Sequence, residues 1–191
     1  MAEVHAQVRE EQLDAEREAR RALALAQIRQ YPDPALRMRA NDVEEFDDEL
    51  TQLVERMTAL MRDANGVGLA ATQVGILRRV FVYQPGEEEE PVAVVNPQIE
   101  VTGNEAEAGD EGCLSIQGVL VSVERPCSIV LTGQDASGAD YRRELHGAGA
   151  RVAQHELDHL DGVLMLDRAS EDARKEAMAV LRPRLVAAGL R

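Results

Sequence analysis

Two histidines four residues apart, with a glutamate directly after the first, constrain this chain more than any other feature: His155-Glu156-Leu157-Asp158-His159. On a helix, positions i and i+4 share one face. Both imidazoles can then reach one metal ion, and Glu156 stands close enough to handle a proton from water beside that ion. Val152, His155 and His159 fall at i, i+3 and i+7. A helix that turns two histidines toward a core must give them partners, and a metal supplies one. The alternative is a charged, solvated helix face. The segment predicts a helix from Gly147 or Gly149 to Asp161, ended by Gly162.

The third ligand decides the chemistry. One metalloprotease class continues the motif to a further histidine, but that position is Met165. Another takes a downstream glutamate, and Glu171 and Glu176 both lie in a segment that reads as a surface helix. His5 belongs to the N-terminal extension, and His146 ends a hairpin as a polar surface residue. The soft donors left are the cysteines. Cys113 sits in Glu111-Gly112-Cys113-Leu114-Ser115, where a glycine lets backbone come close; Cys127, next to Pro126, reads as a small core residue.

The rest of the chain supplies the frame. With 191 residues and 45% hydrophobic content, one domain with a proper core is expected, built from aliphatic residues because aromatics are 3%. Residues 1–30 read as a solvated helix whose apolar patch is Leu23, Leu25 and Ile28; this is an extension to a catalytic domain at 31–168. A second helix is expected from Asp47 or Asp48 to Asp63, on the spacing of Phe46, Leu50, Leu53, Val54, Met57, Leu60 and Met61, and Asn65-Gly66 stops it. Val80–Tyr83, Val92–Val95 and a short run from Pro97 to Gly103 read as strands. Ser128–Thr132 and Asp140–Leu145 read as a hairpin around Asp135-Ala136-Ser137-Gly138. A last helix, 169–191, carries Ala173, Ala177, Val180 and Leu181 on one side, and Pro183 should kink or end it. The pattern is α+β.

The net charge of -14 argues against DNA or anionic lipid as the main partner. From Arg168 onward six basic residues face three acidic ones, so the tail is +3 and the remainder -17. Two thiols do not make a disulfide framework, the first residues lack an apolar signal core, and no apolar run approaches membrane length. The expectation is a protein of a reducing cytoplasm with no membrane contact.

Three segments together carry a resemblance. Gly66-Val67-Gly68-Leu69-Ala70-Ala71-Thr72-Gln73, then Glu111-Gly112-Cys113-Leu114-Ser115, then Gln154-His155-Glu156-Leu157-Asp158-His159 resemble the three signature motifs of peptide deformylase, in order, over a stretch from about Tyr31 to Leu166. Gly66-x-Gly68-x-x-Ala71 also imitates a dinucleotide fingerprint, but a helix pattern precedes it and a strand follows, the reverse of what that fingerprint needs.

The resemblance implies a fold of mostly antiparallel strands around a central metal-binding helix, with flanking N- and C-terminal helices. It implies that Cys113, His155 and His159 hold one divalent metal: Fe2+ physiologically, with Zn2+, Ni2+ or Co2+ as alternatives. Glu156 becomes the proton carrier, while Gln73 and the Leu114 N–H stabilise charge on the substrate oxygen. Gly66, Gly68 and Gly112 leave room for an extended peptide, with Val67 and Val152 as walls for a methionine side chain. The implied substrate is the N-formyl-methionyl end of a nascent peptide, with a ribosome contact through the basic C-terminal helix. Two positions depart from the family's pattern: Gln117 follows Ile116 where a proline is favoured, and Leu120 stands where some relatives carry arginine.

Overall fold

Asp47 begins the second helix by accepting a hydrogen bond from the Leu50 N–H at 2.9 Å, while Asp48 and Glu49 complement the positive end of the helix dipole. The computed structural model describes residues 2–86, 88–187 and 189, with side chains from residue 13 onward. The expectations for the side chain of His5 and for Arg191 lie outside the described residues. Helix α1 is Ala2–Leu25 and α2 is Asp48–Asp63. The buried row of α2 is Leu50, Leu53, Met57, Leu60 and Met61, one face of a 3.6-residue repeat. Asn65 takes the left-handed conformation (φ 57°) that ends the run.

Strands β1 (Gly68–Ala70), β2 (Val80–Tyr83), β3 (Val92–Val101), β6 (Ser128–Gln134) and β7 (Asp140–His146) form one antiparallel sheet in the order β1-β2-β3-β6-β7. Strands β4 (Ala106–Cys113) and β5 (Ile116–Pro126) form a separate hairpin. Helix α3 (Gly147–Leu160) packs against both; short α4 (Met165–Arg168) and then α5 (Glu171–Ala187) follow.

The alternation along β2 explains the layers. Val80 and Val82 join the cluster with Leu53, Met57 and Leu60 of α2; Phe81 and Tyr83 join Ala150, Ala153 and Leu160 of α3. Helices cover both faces, so all four residues are buried and the strand reads as a continuous apolar run. A third cluster, with Ile116, Val119, Val121, Val123, Leu164, Met165, Ala177 and Leu181, ties the hairpin to α4 and α5. The α+β arrangement with α3 at its centre follows the sequence expectation.

Several local readings need correction. The strands expected at 92–95 and 97–103 are one strand, β3, with a bulge between Val95 and Gln98. Asn96 (φ 49°) sits in that bulge, exchanging hydrogen bonds with the Val43 backbone at 2.8 and 2.9 Å. The bulge lets Pro97 occupy a paired strand. Hairpin β4–β5 went unread. Leu23 is 68% exposed; Ala24 and Ile28 make the buried contact instead. Val180 is exposed, leaving Ala177 and Leu181 as the packed side of α5, which continues through Pro183 to Ala187. Cys127 is half-buried at the β5–β6 junction and does not join the core.

Candidate metal centre

Helix α3 points His155, Glu156 and His159 at the end of β4, where Cys113 is the last residue. Ligand atoms of Cys113, His155 and His159 all lie within 4.8 Å of one another. Cys113 Sγ is 3.2 Å from His159 Nε2, and the two imidazoles meet edge to face with centroids 4.9 Å apart. The i, i+4 spacing and one strand end therefore bring a thiol and two imidazoles together.

Each ring has a different environment. His155 Nδ1 donates to Glu111 Oε2 at 3.0 Å, which fixes its tautomer and leaves the Nε2 lone pair free to bind a metal. Burial pushes His155 down, but its hydrogen bonds with Cys113 and Glu111 outweigh this and raise it well above the usual histidine range. His159 is 1% exposed; burial, then the neighbouring His155 and Arg125, hold it well below that range, as neutral imidazole. Its Nδ1 is buried without a hydrogen-bond partner among the described residues, as is Glu156 Oε2. Orphaned buried polar atoms are costly. A neutral imidazole, a thiol and an unpartnered carboxylate oxygen in one place fit a soft divalent ion with proton chemistry beside it.

Glu156 lies against β1. A Cβ on Gly68 would collide with its carboxylate, so this glycine is what allows the approach. Burial lifts the Glu156 carboxyl to about 7. Gln73, in the 3-10 turn Ala71–Val74, accepts from the Ala70 N–H through Oε1 at 2.8 Å. That orients its amide: Nε2 donates to Ser115 Oγ at 3.1 Å and stands 3.6 Å from Cys113 Sγ.

A buried ion network backs the site, and the sequence reading missed it. Glu111 accepts from Arg125 at 2.8 and 2.9 Å and from Arg151 at 2.9 Å; Arg125 also reaches Asp158 at 2.6 Å, and Arg168 reaches Asp158 at 2.7 Å. Burial alone would raise Glu111, but the hydrogen bonds from Arg125 and His155 prevail and hold it at about 2. Glu111 and Asp158 stood inside the quoted motifs; their pairing with Arg125, 14 and 33 residues away, had no local signal.

Above these residues opens a cleft of about 740 Å³. Gly66, Val67, Gly68, Gln73, Gly112, Cys113, Leu114, Val152, His155 and Glu156 all line it. Val67 is 56% exposed at its wall, whereas Val152 is half-buried against the α3 cluster. The residues set aside at the sequence level lie elsewhere: His146 is exposed and bonded to Ser128, Met165 is buried under α5, and Glu171 and Glu176 are exposed on it.

A family profile described as "Polypeptide deformylase" matches residues 25–175. "Peptide deformylase 1" of Corynebacterium glutamicum is 44% identical over 162 residues, covering 84% of this chain and 96% of the relative. The crystal structure of peptide deformylase from Thermotoga maritima superimposes with a TM-score of 0.71 at 48% identity, covering 75% of this chain and 96% of that one. A peptide deformylase from Synechococcus elongatus, solved with actinonin, gives 0.75 at 40% identity over 80% of this chain and 84% of its own.

Proposed function

The chain belongs to the polypeptide deformylase family, metal-dependent hydrolases that remove the formyl group from the N-terminal formyl-methionine of newly made polypeptides, and we propose how its own residues divide that work. Cys113, His155 and His159 hold one divalent metal, which in the cell is Fe2+; Zn2+, Ni2+ and Co2+ suit the same donors. When bound, the ion acts as a Lewis acid and lowers the pKa of water to about 7.

Glu156 takes a proton from the attacking water at its carboxylate and later delivers it to the leaving amine. Its orphaned Oε2 and its raised affinity for a proton support that role. The Gln73 Nε2, held by the Ala70–Oε1 bond, and the Leu114 N–H donate to the formyl oxygen as charge builds there. Gly66, Gly68 and Gly112 keep side chains out of the path of an extended peptide, and Val67 and Val152 flank the methionine side chain. A formyl carbon carries only hydrogen, so a tight site excludes bulkier acyl groups.

The observation that carries this reading is the thiol–imidazole–imidazole cluster within 4.8 Å, whose Cys113 and His155 line a cleft together with the buried carboxylate of Glu156. The test is formate release from a formyl-methionyl peptide by protein purified anaerobically with iron or nickel. The metal-loaded protein should release formate, and Glu156→Ala should lose at least about a hundredfold in rate with metal retained. A folded, metal-loaded protein that releases none would overturn the assignment.

Two settings belong to the same proposal. No helix among the described residues is long and apolar enough to cross a membrane, which is compatible with work in the cytoplasm. The exposed Arg174 and Arg182 of α5 offer cations for ribosomal RNA. Deleting α5 would strip Ala177 and Leu181 from the core, so charge reversal at Arg174 and Arg182, read by ribosome pelleting, is the cleaner test.

A further inference from the structure

Two arginines that the chemistry does not use stand on the rim of the catalytic cleft, one from each end of the chain. Arg21 comes from α1 and Arg184 from α5, and both line the cleft that Cys113, His155 and Glu156 floor. Arg184 is seated in a defined way. Its Nη1 donates to the Gln117 carbonyl at 2.9 Å, and its guanidinium lies across Gly118. Gly118 has φ +77°, a conformation that favours glycine, and its missing side chain leaves room for the Arg184 guanidinium to lie across β5. Both arginines are exposed, and among the described residues neither has a carboxylate partner.

Of the other charged groups on the cleft, Glu156 is buried at the catalytic centre, and the rest are paired or distant. Arg151 is spent on Glu111 and on the carbonyls of Glu107, Gly109 and Val123. Glu111 is enclosed by Arg125, Arg151 and His155. Asp110 is exposed but pairs in register with Ser122, four residues along β5 from Gly118. At roughly 3.3 Å per residue that is about 13 Å from the strand position that Arg184 crosses. Arg21 and Arg184 are thus two cations lining the cleft without a carboxylate partner among the described residues, on a chain whose net charge is -14.

We propose that Arg21 and Arg184 are specificity determinants for the peptide downstream of the formyl-methionine, favouring chains with acidic side chains a few residues after it. A guanidinium presents a fork of donors that matches a carboxylate, and it stays charged at any working pH. The inference rests on the deformylase reading for the location of the substrate, but not for the charge preference.

The test compares two C-terminally amidated peptides, formyl-Met-Ala-Ala-Ala and formyl-Met-Ala-Asp-Asp, so that no terminal carboxylate confounds the result. The acidic peptide should have a kcat/KM about fivefold higher, the difference lying in KM, as expected of two exposed ion pairs. In the Arg21→Gln/Arg184→Gln double variant the acidic-to-neutral ratio should fall to about one, and Arg184→Lys, which keeps the charge, should restore part of it. A ratio near one in the unaltered protein, or a ratio the double variant does not change, overturns the inference and leaves the deformylase reading standing. Fluorescence anisotropy with labelled versions of both peptides, on protein without catalytic metal, reads the same preference without turnover. A charge preference in binding that the double variant loses, in protein that releases no formate when metal-loaded, supports this inference and overturns that reading.

Discussion

The five-stranded sheet and the β4–β5 hairpin solve the same problem, burying one face of a β-structure, with different materials. Phe81, Tyr83, Val94, Ile129 and Leu131 fill the sheet's contact with α3 and are fully buried. The hairpin begins in the same way, with Val119, Val121 and Val123 pointing inward along β5, but the next inward position is Arg125, 5% exposed, facing Glu111 and Asp158. Apolar packing tolerates small errors of position. A buried ion network does not, since each charge left without its partner retains the full cost of leaving water. The chain uses the strict arrangement where an imidazole has to be aimed, because Glu111 also holds His155.

Replacing Arg125 tests this difference hardest. Arg125→Met should cost about 4 kcal/mol in urea denaturation, the usual scale for removing one member of a buried ion pair. Glu111 would keep Arg151 and Asp158 would keep Arg168, but those cations are more exposed than Arg125. Metal content of the folded variant should fall too, because a second carboxylate partner that is less well fixed aims His155 less well. A loss under about 1 kcal/mol with metal fully retained would mean that apolar contacts, not charges, hold the hairpin to α3.

The matching change in the sheet is Leu131→Ala, which should cost about 3 kcal/mol from lost burial and the cavity left behind. Its signature is expected to differ more than its size. Below its melting transition this variant should bind metal as the unaltered protein does, measured by metal analysis after dialysis. If both variants lose metal in proportion to stability, the two regions are one cooperative unit and the contrast between them disappears.

The same contrast explains what could be read from the sequence. Val80–Tyr83 announced itself because helices cover both faces, and α2 because its apolar residues recur at 3.6. The β6–β7 hairpin was legible through its turn, where Asp135 accepts from Ser137 and Ala139. Strand β4 carries Glu107, Asp110 and Glu111 and buries only Glu111, so no hydrophobic alternation exists to be seen. Val119-x-Val121-x-Val123 was a strand signal, but Arg125 at the next inward slot breaks the pattern just where the strand matters to the site. At the site, His155, Glu156 and His159 are local in sequence and were readable from spacing. Cys113 was readable as a remaining soft donor and was assigned as a ligand by the resemblance, whereas the bonds from Arg125 to Glu111 and Asp158 required the fold.

The smallest expected effect concerns the one polar hydroxyl that β2 places in the sheet's α3-side cluster. Tyr83 is fully buried, and its hydroxyl lies 2.9 Å from that of Tyr141. Tyr83→Phe should cost about 1 kcal/mol at neutral pH, the net worth of one hydrogen bond. Burial, with the Tyr141 hydrogen bond adding to it, keeps the Tyr83 phenol protonated well above its ordinary range. The folded protein therefore retains a proton that the unfolded chain releases above about pH 10. The stability this group contributes is complete below that pH and declines as pH rises further. Phenylalanine has no such proton, so the gap between variant and parent should close between about pH 10 and 11, measured by urea denaturation of both proteins side by side. A gap that stays constant would show that the hydroxyl is solvated in the folded state, and that this sheet's α3-side core is less dry than its packing implies.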